Sequence, residues 1–133
     1  MPRLTRQVPD GGIKPGFNDE ASASIAAKRI VIHDAAAGQD GVAIAAGATV
    51  PLIGITMAAI AAQTRGDIQK DGEGILTAGS GGVTIGAKVT SDGSGKGIIT
   101  TTDLHHIIGR AETAAAEDED FIVTLTPGLQ NGA

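Results

Sequence analysis

The chain has no cysteine, no tryptophan and no tyrosine, and its only aromatic side chains are Phe17 and Phe121. Without cysteine there is neither a disulfide framework nor a thiolate metal site, which suits folding in a reducing compartment. Without Trp or Tyr there is nothing to stack on sugar rings, which weighs against a glycan-binding β domain. Stacking platforms for single-stranded nucleic acid are missing for the same reason. Basic side chains are few and scattered: Lys and Arg number 10 against 15 Asp and Glu, and only Lys28 and Arg29 adjoin. A net charge of -5 lacks the concentrated basic face that nucleic-acid binding needs. The start, MPRLTRQVPDGG, carries charge but no apolar run, so no secretory signal is expected.

What is present is small. Hydrophobic residues make up 41% of the chain and there are 20 glycines. Alanine buries little area and glycine loses the most backbone entropy on folding, so the core is expected to be thin. Help from oligomerisation or from docking onto a larger surface is expected. The stretch Gly41 to Thr64 has no charged side chain at all. It is long enough to cross a bilayer, but Gly47, Thr49, Pro51, Gly54 and Thr56 interrupt it and no aromatic or basic anchors flank it, so no membrane span is expected. It has an echo. Leu52-Ile53-Gly54, the alanines from Ala58 to Ala62 and then Asp67 to Lys70 share their order with Ile107-Ile108-Gly109, Ala114 to Ala116 and Phe121 to Leu125.

Prolines and glycines from Pro2 to Gly16 forbid a regular helix, and Met1 to Ser24 read as an extended arm with Leu4, Val8, Ile13 and Phe17 as docking points. Strands are expected at Ala26 to His33, Gly41 to Ala45, Val50 to Thr56, Gly66 to Gly72, Gly74 to Ala78, Val83 to Thr90, Ile98 to Thr102, His106 to Thr113 and Asp120 to Thr126. Asp71-Gly72 reads as a tight turn and Pro127-Gly128 as the stop of the last strand, leaving a tail over 128–133. Met57 to Gln63 reads as two helical turns or as a loop packed on the sheet, so at most one short helix is expected. Short strands at intervals of about ten residues indicate an all-β domain over 25–127, closed as a small barrel or sandwich.

Chemistry-bearing motifs are weak. Gly95-Lys96 has Thr90 where a phosphate-binding GxxxxGK[ST] loop needs its first glycine, and Gly79-x-Gly81 meets Thr84 where GxGxxG needs glycine. His105 and His106 are adjacent, so on a strand they point to opposite faces, and with Asp103 and His33 they make a poor metal set. The acidic run Glu117 to Asp120 has neither the spacing of an EF-hand nor that of a catalytic acid pair. No catalytic, metal or cofactor site is expected, and the chain is read as a non-enzyme.

The ordered phrases Ala46-Gly47-Ala48-Thr49-Val50-Pro51-Leu52-Ile53-Gly54, Thr84-Ile85-Gly86-Ala87-Lys88-Val89-Thr90 and Ile107-Ile108-Gly109-Arg110-Ala111 resemble those of the small capsid cement or decoration proteins of tailed bacteriophages. The resemblance implies a β-rich knob on the outer surface of an icosahedral head, made in the bacterial cytoplasm and usually trimeric, that clamps neighbouring major capsid protein subunits. On that reading Val50, Leu52, Ile53 and Ile60 join the arm residues as contacts to capsid or to a second copy. A tail- or fibre-associated β module is the alternative within phage structure.

Overall fold

A computed structural model describes residues 12–38 and 40–129. Among the described residues ten strands follow in order: β1 (Ile13–Asn18), β2 (Ile30–His33), β3 (Gly41–Ile44), β4 (Gly54–Thr56), β5 (Arg65–Gln69), β6 (Gly72–Thr77), β7 (Lys88–Ser91), β8 (Gly97–Ile99), β9 (His106–Ala111) and β10 (Asp120–Leu129). The fold is all-β. The only helical turn among the described residues is the three-residue Ala35–Ala37, capped by the Asp34 carboxylate, which accepts from the Ala36 N–H. The alanine-rich segment after Met57 stays a loop, held by a bridge between Ile25 and Ile60.

The strands form two five-stranded units. The first is a closed barrel in the order β1-β3-β2-β4-β5, and the second a sheet in the order β6-β10-β9-β7-β8. Written from the same starting point, the orders are identical: β3-β2-β4-β5-β1 and β8-β7-β9-β10-β6. The seam that closes the barrel is the parallel β1–β3 pair, and its counterpart in the second unit is a single parallel bridge between Ala78 and Gly97.

The equivalence holds residue by residue. Val31 pairs with Gly54 and Ile44 as Val89 pairs with Gly109 and Ile99. Ile68 pairs with Lys14 and Thr56 as Val123 pairs with Gly74 and Ala111. Connections outside the strands repeat as well. Lys28 donates to Thr56 as Gly86 does to Ala111, Gln63 to Asn18 as Asp118 to Ala78, Asn18 to Thr64 as Ala78 to Glu119, and Met57 to Asp67 as Glu112 to Ile122. Both Lys28 and Gly86 have positive φ, as do Gln63 and Asp118. The echo in the sequence is therefore the visible part of a whole-unit duplication, with Gly54 and Gly109 at the same site.

Several expectations change. Ile13 to Asn18 is a barrel strand paired on both sides, with β5 over Ile13 to Phe17 and with β3 at Phe17 and Asn18, so the arm cannot reach to Ser24. Gly16 is needed there because a Cβ would come within 2.7 Å of Ile68 Cγ1 in the barrel interior. The strand expected from Val50 is confined to Gly54–Thr56. Asp71-Gly72 does not make a hairpin, since β5 stays in the first unit and β6 begins the second. Pro127 does not stop β10: the register shifts between Leu125 and Gly128, and pairing resumes at Ile107 and His106, a bulge that absorbs the missing proline N–H.

Two cores result. The smaller fills the barrel with Ile25, Val31, Val42, Ile60 and Ile68. The larger joins Leu76, Val89, Ile108, Phe121, Val123 and Leu125 of the second unit to Ile30, Ala45, Leu52 and Ile55 of the first. The first unit thus lends its outer β2–β4 face to close the second. Backbone bonds from Ile30 N to Gly95 O at 2.8 Å and from His106 N to Ala48 O at 2.8 Å tie the units together.

Candidate functional site

Of the residues expected to make contacts, Leu4 and Val8 lie outside the described residues. Ile13 is 44% exposed at the start of β1 and Val50 is 38% exposed in the loop before β4. Phe17 is half-buried, with the Arg65 guanidinium 5.1 Å above its ring. Ile53 packs partly against the barrel core. Leu52 and Ile60 are buried in the two cores, where a side chain supports the fold and offers no surface to a partner. The surface expected around Val50 to Ile60 is thereby reduced to Val50, Pro51, part of Ile53, Met57 and the exposed alanines Ala58 and Ala59.

A second exposed apolar group was not expected. Ile75 on β6 and Ile122 on β10 are directly opposite each other, 48% and 38% exposed. They point outward because their neighbours Leu76, Phe121 and Val123 point into the core, the alternation that a half-buried sheet imposes. Next to them runs a polar row across four strands, Lys88, Arg110, Thr124 and Glu73, each the ladder partner of the next. The Thr124 hydroxyl donates to the Glu112 carboxylate. Met57 and Ile75 also line a cleft between the units, with Lys28, Ile55, Gln69 and Glu73. The alternating Phe121-Ile122-Val123 pattern was the available signal for Ile122; Lys88 and Arg110 are far apart in sequence and only strand register brings them together.

Titratable groups are few in this setting and serve the fold. Lys28 Nζ lies 2.6 Å from Asp120 Oδ2, linking the two units, and Thr77 Oγ1 donates to Asp120 Oδ1 at 3.0 Å. The hydrogen bond from Lys28 is the main reason that the Asp120 carboxyl sits below its ordinary value. His33 is lowered by partial desolvation and then by the charge of Lys14. His105 Nδ1 is 2.8 Å from Thr100 Oγ1, and the His106 carbonyl accepts from Thr90 Oγ1 at 2.6 Å. The Gly95-Lys96 loop is a β7–β8 turn whose amides are taken by Asp92 Oδ1, which accepts from Ser94 and Lys96. Among the described residues no three His, Cys, Asp or Glu side chains gather as metal ligands. No described helix is long and apolar enough to cross a membrane.

No family model matches the sequence, and no curated protein matches it. Among solved structures, the fold is similar to the crystal structure of the N base of head fibre gp8.5 of bacteriophage phi29. The TM-score is 0.67 at 14% identity, over 86% of this chain and 92% of that one. A match of that extent exceeds either five-stranded unit, so the similarity is to the two-unit architecture and not to one small barrel.

Proposed function

We propose that the chain is a non-enzymatic structural protein of a tailed-phage virion that sits on the outer surface of the head and contacts major capsid protein subunits. The observation that carries this reading is the two-unit likeness to a head fibre base, 92% of which is covered. The physical economy of the chain supports it. A core built largely from Ile, Val, Leu and Ala gains stability from mass-action binding to a lattice. Exposed Ile75 and Ile122 provide apolar area for a partner.

Two forms of attachment differ in what they require. A cement protein clamps neighbouring capsid subunits and is present wherever the lattice offers a site. A fibre base anchors a projection, and the named neighbour favours this second form. Quantitation of the chain against the major capsid protein in purified virions tests both. Hundreds of copies on heads support cementing, a smaller set on heads with a visible projection supports a fibre base, and copies confined to tails overturn head attachment.

A further inference from the structure

The duplication makes one face of the C-terminal unit readable. In the N-terminal unit Ile30 and Ile55 are directly opposed on the outer side of β2 and β4, and both are buried against the other unit. Their register equivalents are Lys88 and Arg110, directly opposed on β7 and β9. The positions that dock in one unit are held in the other by two cations that belong to neither core. Lys88 is half-buried and Arg110 exposed.

Like charges directly opposite in a ladder destabilise it. The chain has 15 carboxylates, yet among the described residues the ion pairs are those of Lys28, Arg65 and Lys96, and none involves Lys88 or Arg110. The Arg110 guanidinium instead donates to Gly86 O at 3.0 Å. Among the described residues no ion pair offsets the repulsion, so the pair is suited to a partner from outside.

Resting on the head-attachment reading, we propose that this β7–β9 face, centred on Lys88 and Arg110 and flanked by Ile122 and Ile75, docks onto an acidic protein surface of the shell. A second copy fits poorly. Ile30 and Ile55 enter the core of the second unit, which is an open sheet. Stacking another copy the same way would need the N-terminal unit to receive Lys88 and Arg110, and that unit is a closed barrel filled by its own core. Glu73 lies at the β6 end of the row and Glu112 just beyond β9, so acidic groups border the basic pair and constrain the partner's orientation.

The test uses Lys88→Glu, which turns the repelling pair into an attracting one. With heads purified from virions that lack this protein, the unaltered chain binds. Lys88→Glu is expected to keep or raise the melting temperature while weakening binding by about tenfold or more. Lys70→Glu, a like charge change elsewhere, leaves binding unchanged, and Lys88→Gln serves if the Glu variant does not fold. Binding of a folded Lys88 variant as tight as that of the unaltered chain overturns the docking face. Failure of the unaltered chain to bind heads overturns head attachment and the docking face with it.

Discussion

Gly66 and Phe121 occupy the same place in the two units, and so do Ile60 and Ala115, Gly16 and Leu76, and Val42 and Gly97. In these four pairs a large side chain in one unit has a small one at its equivalent in the other. A Cβ on Gly66 would come 2.6 Å from Ile60 Cγ1, and one on Gly97 would come 2.8 Å from Phe121 Cζ. Interior volume is thus kept while identities trade places, which is why the repeat surfaced in the sequence only where Ile-Gly and alanine survived in both copies. Phe121→Ala is expected to cost about 3–5 kcal/mol. Gly97→Ala alone overpacks and costs about 1–3 kcal/mol, but it should cost much less in the Phe121→Ala background, and denaturant melts of the four-member cycle measure that coupling. Asp120 makes a smaller prediction. Its folded carboxyl titrates below the ordinary 3.8, so its contribution is complete above that value and fades as pH falls through the folded value. Because both partners of the Lys28 pair are about four-tenths exposed, Asp120→Asn should cost about 1 kcal/mol or less at neutral pH. The difference from the unaltered chain should shrink in melts taken progressively below pH 4, roughly the ordinary aspartate range.

At the level of elements, the sequence was informative where local pattern and final pairing agree. Asp92 to Gly97 does turn β7 into β8, and His106 to Ala111 does pair with the strand after Asp120. Where a strand's partner is distant, local signals misled. Pro15 and Gly16 read as an arm because nothing nearby pairs with them, yet β1 bonds to β5 and β3, which arrive after long intervals. Asp71-Gly72 has the composition of a hairpin turn, but it hands the chain from one unit to the next. The proposed contact surface was legible only in part, because Leu52 and Ile60 look like surface candidates until the fold buries them, while Lys88 and Arg110 come together only through register. Truncations separate arm from strand. Removing residues 1–11 leaves every β1 pair in place, so the cooperative transition should survive. Removing residues through Phe17 deletes the strand that closes the barrel, and circular dichroism should show loss of the cooperative transition; a cooperative, unshifted melt would contradict the pairing of β1.

For the whole molecule, the two units are unequal partners. The N-terminal barrel has its own interior, whereas the C-terminal unit completes its core with Ile30, Ala45, Leu52 and Ile55 of the first. One face is spent inside the chain, and its equivalent is free to act outside it. That asymmetry joins the fold to the proposed role: a two-unit knob whose second unit carries the basic pair toward the shell. Cryo-electron microscopy of the virion tests this most directly. The expected result is density for a barrel joined to a five-stranded sheet on the exterior of the head, with β7 and β9 turned toward capsid carboxylates. Density for this chain on the tail, or on the head with that face turned to solvent, would contradict it.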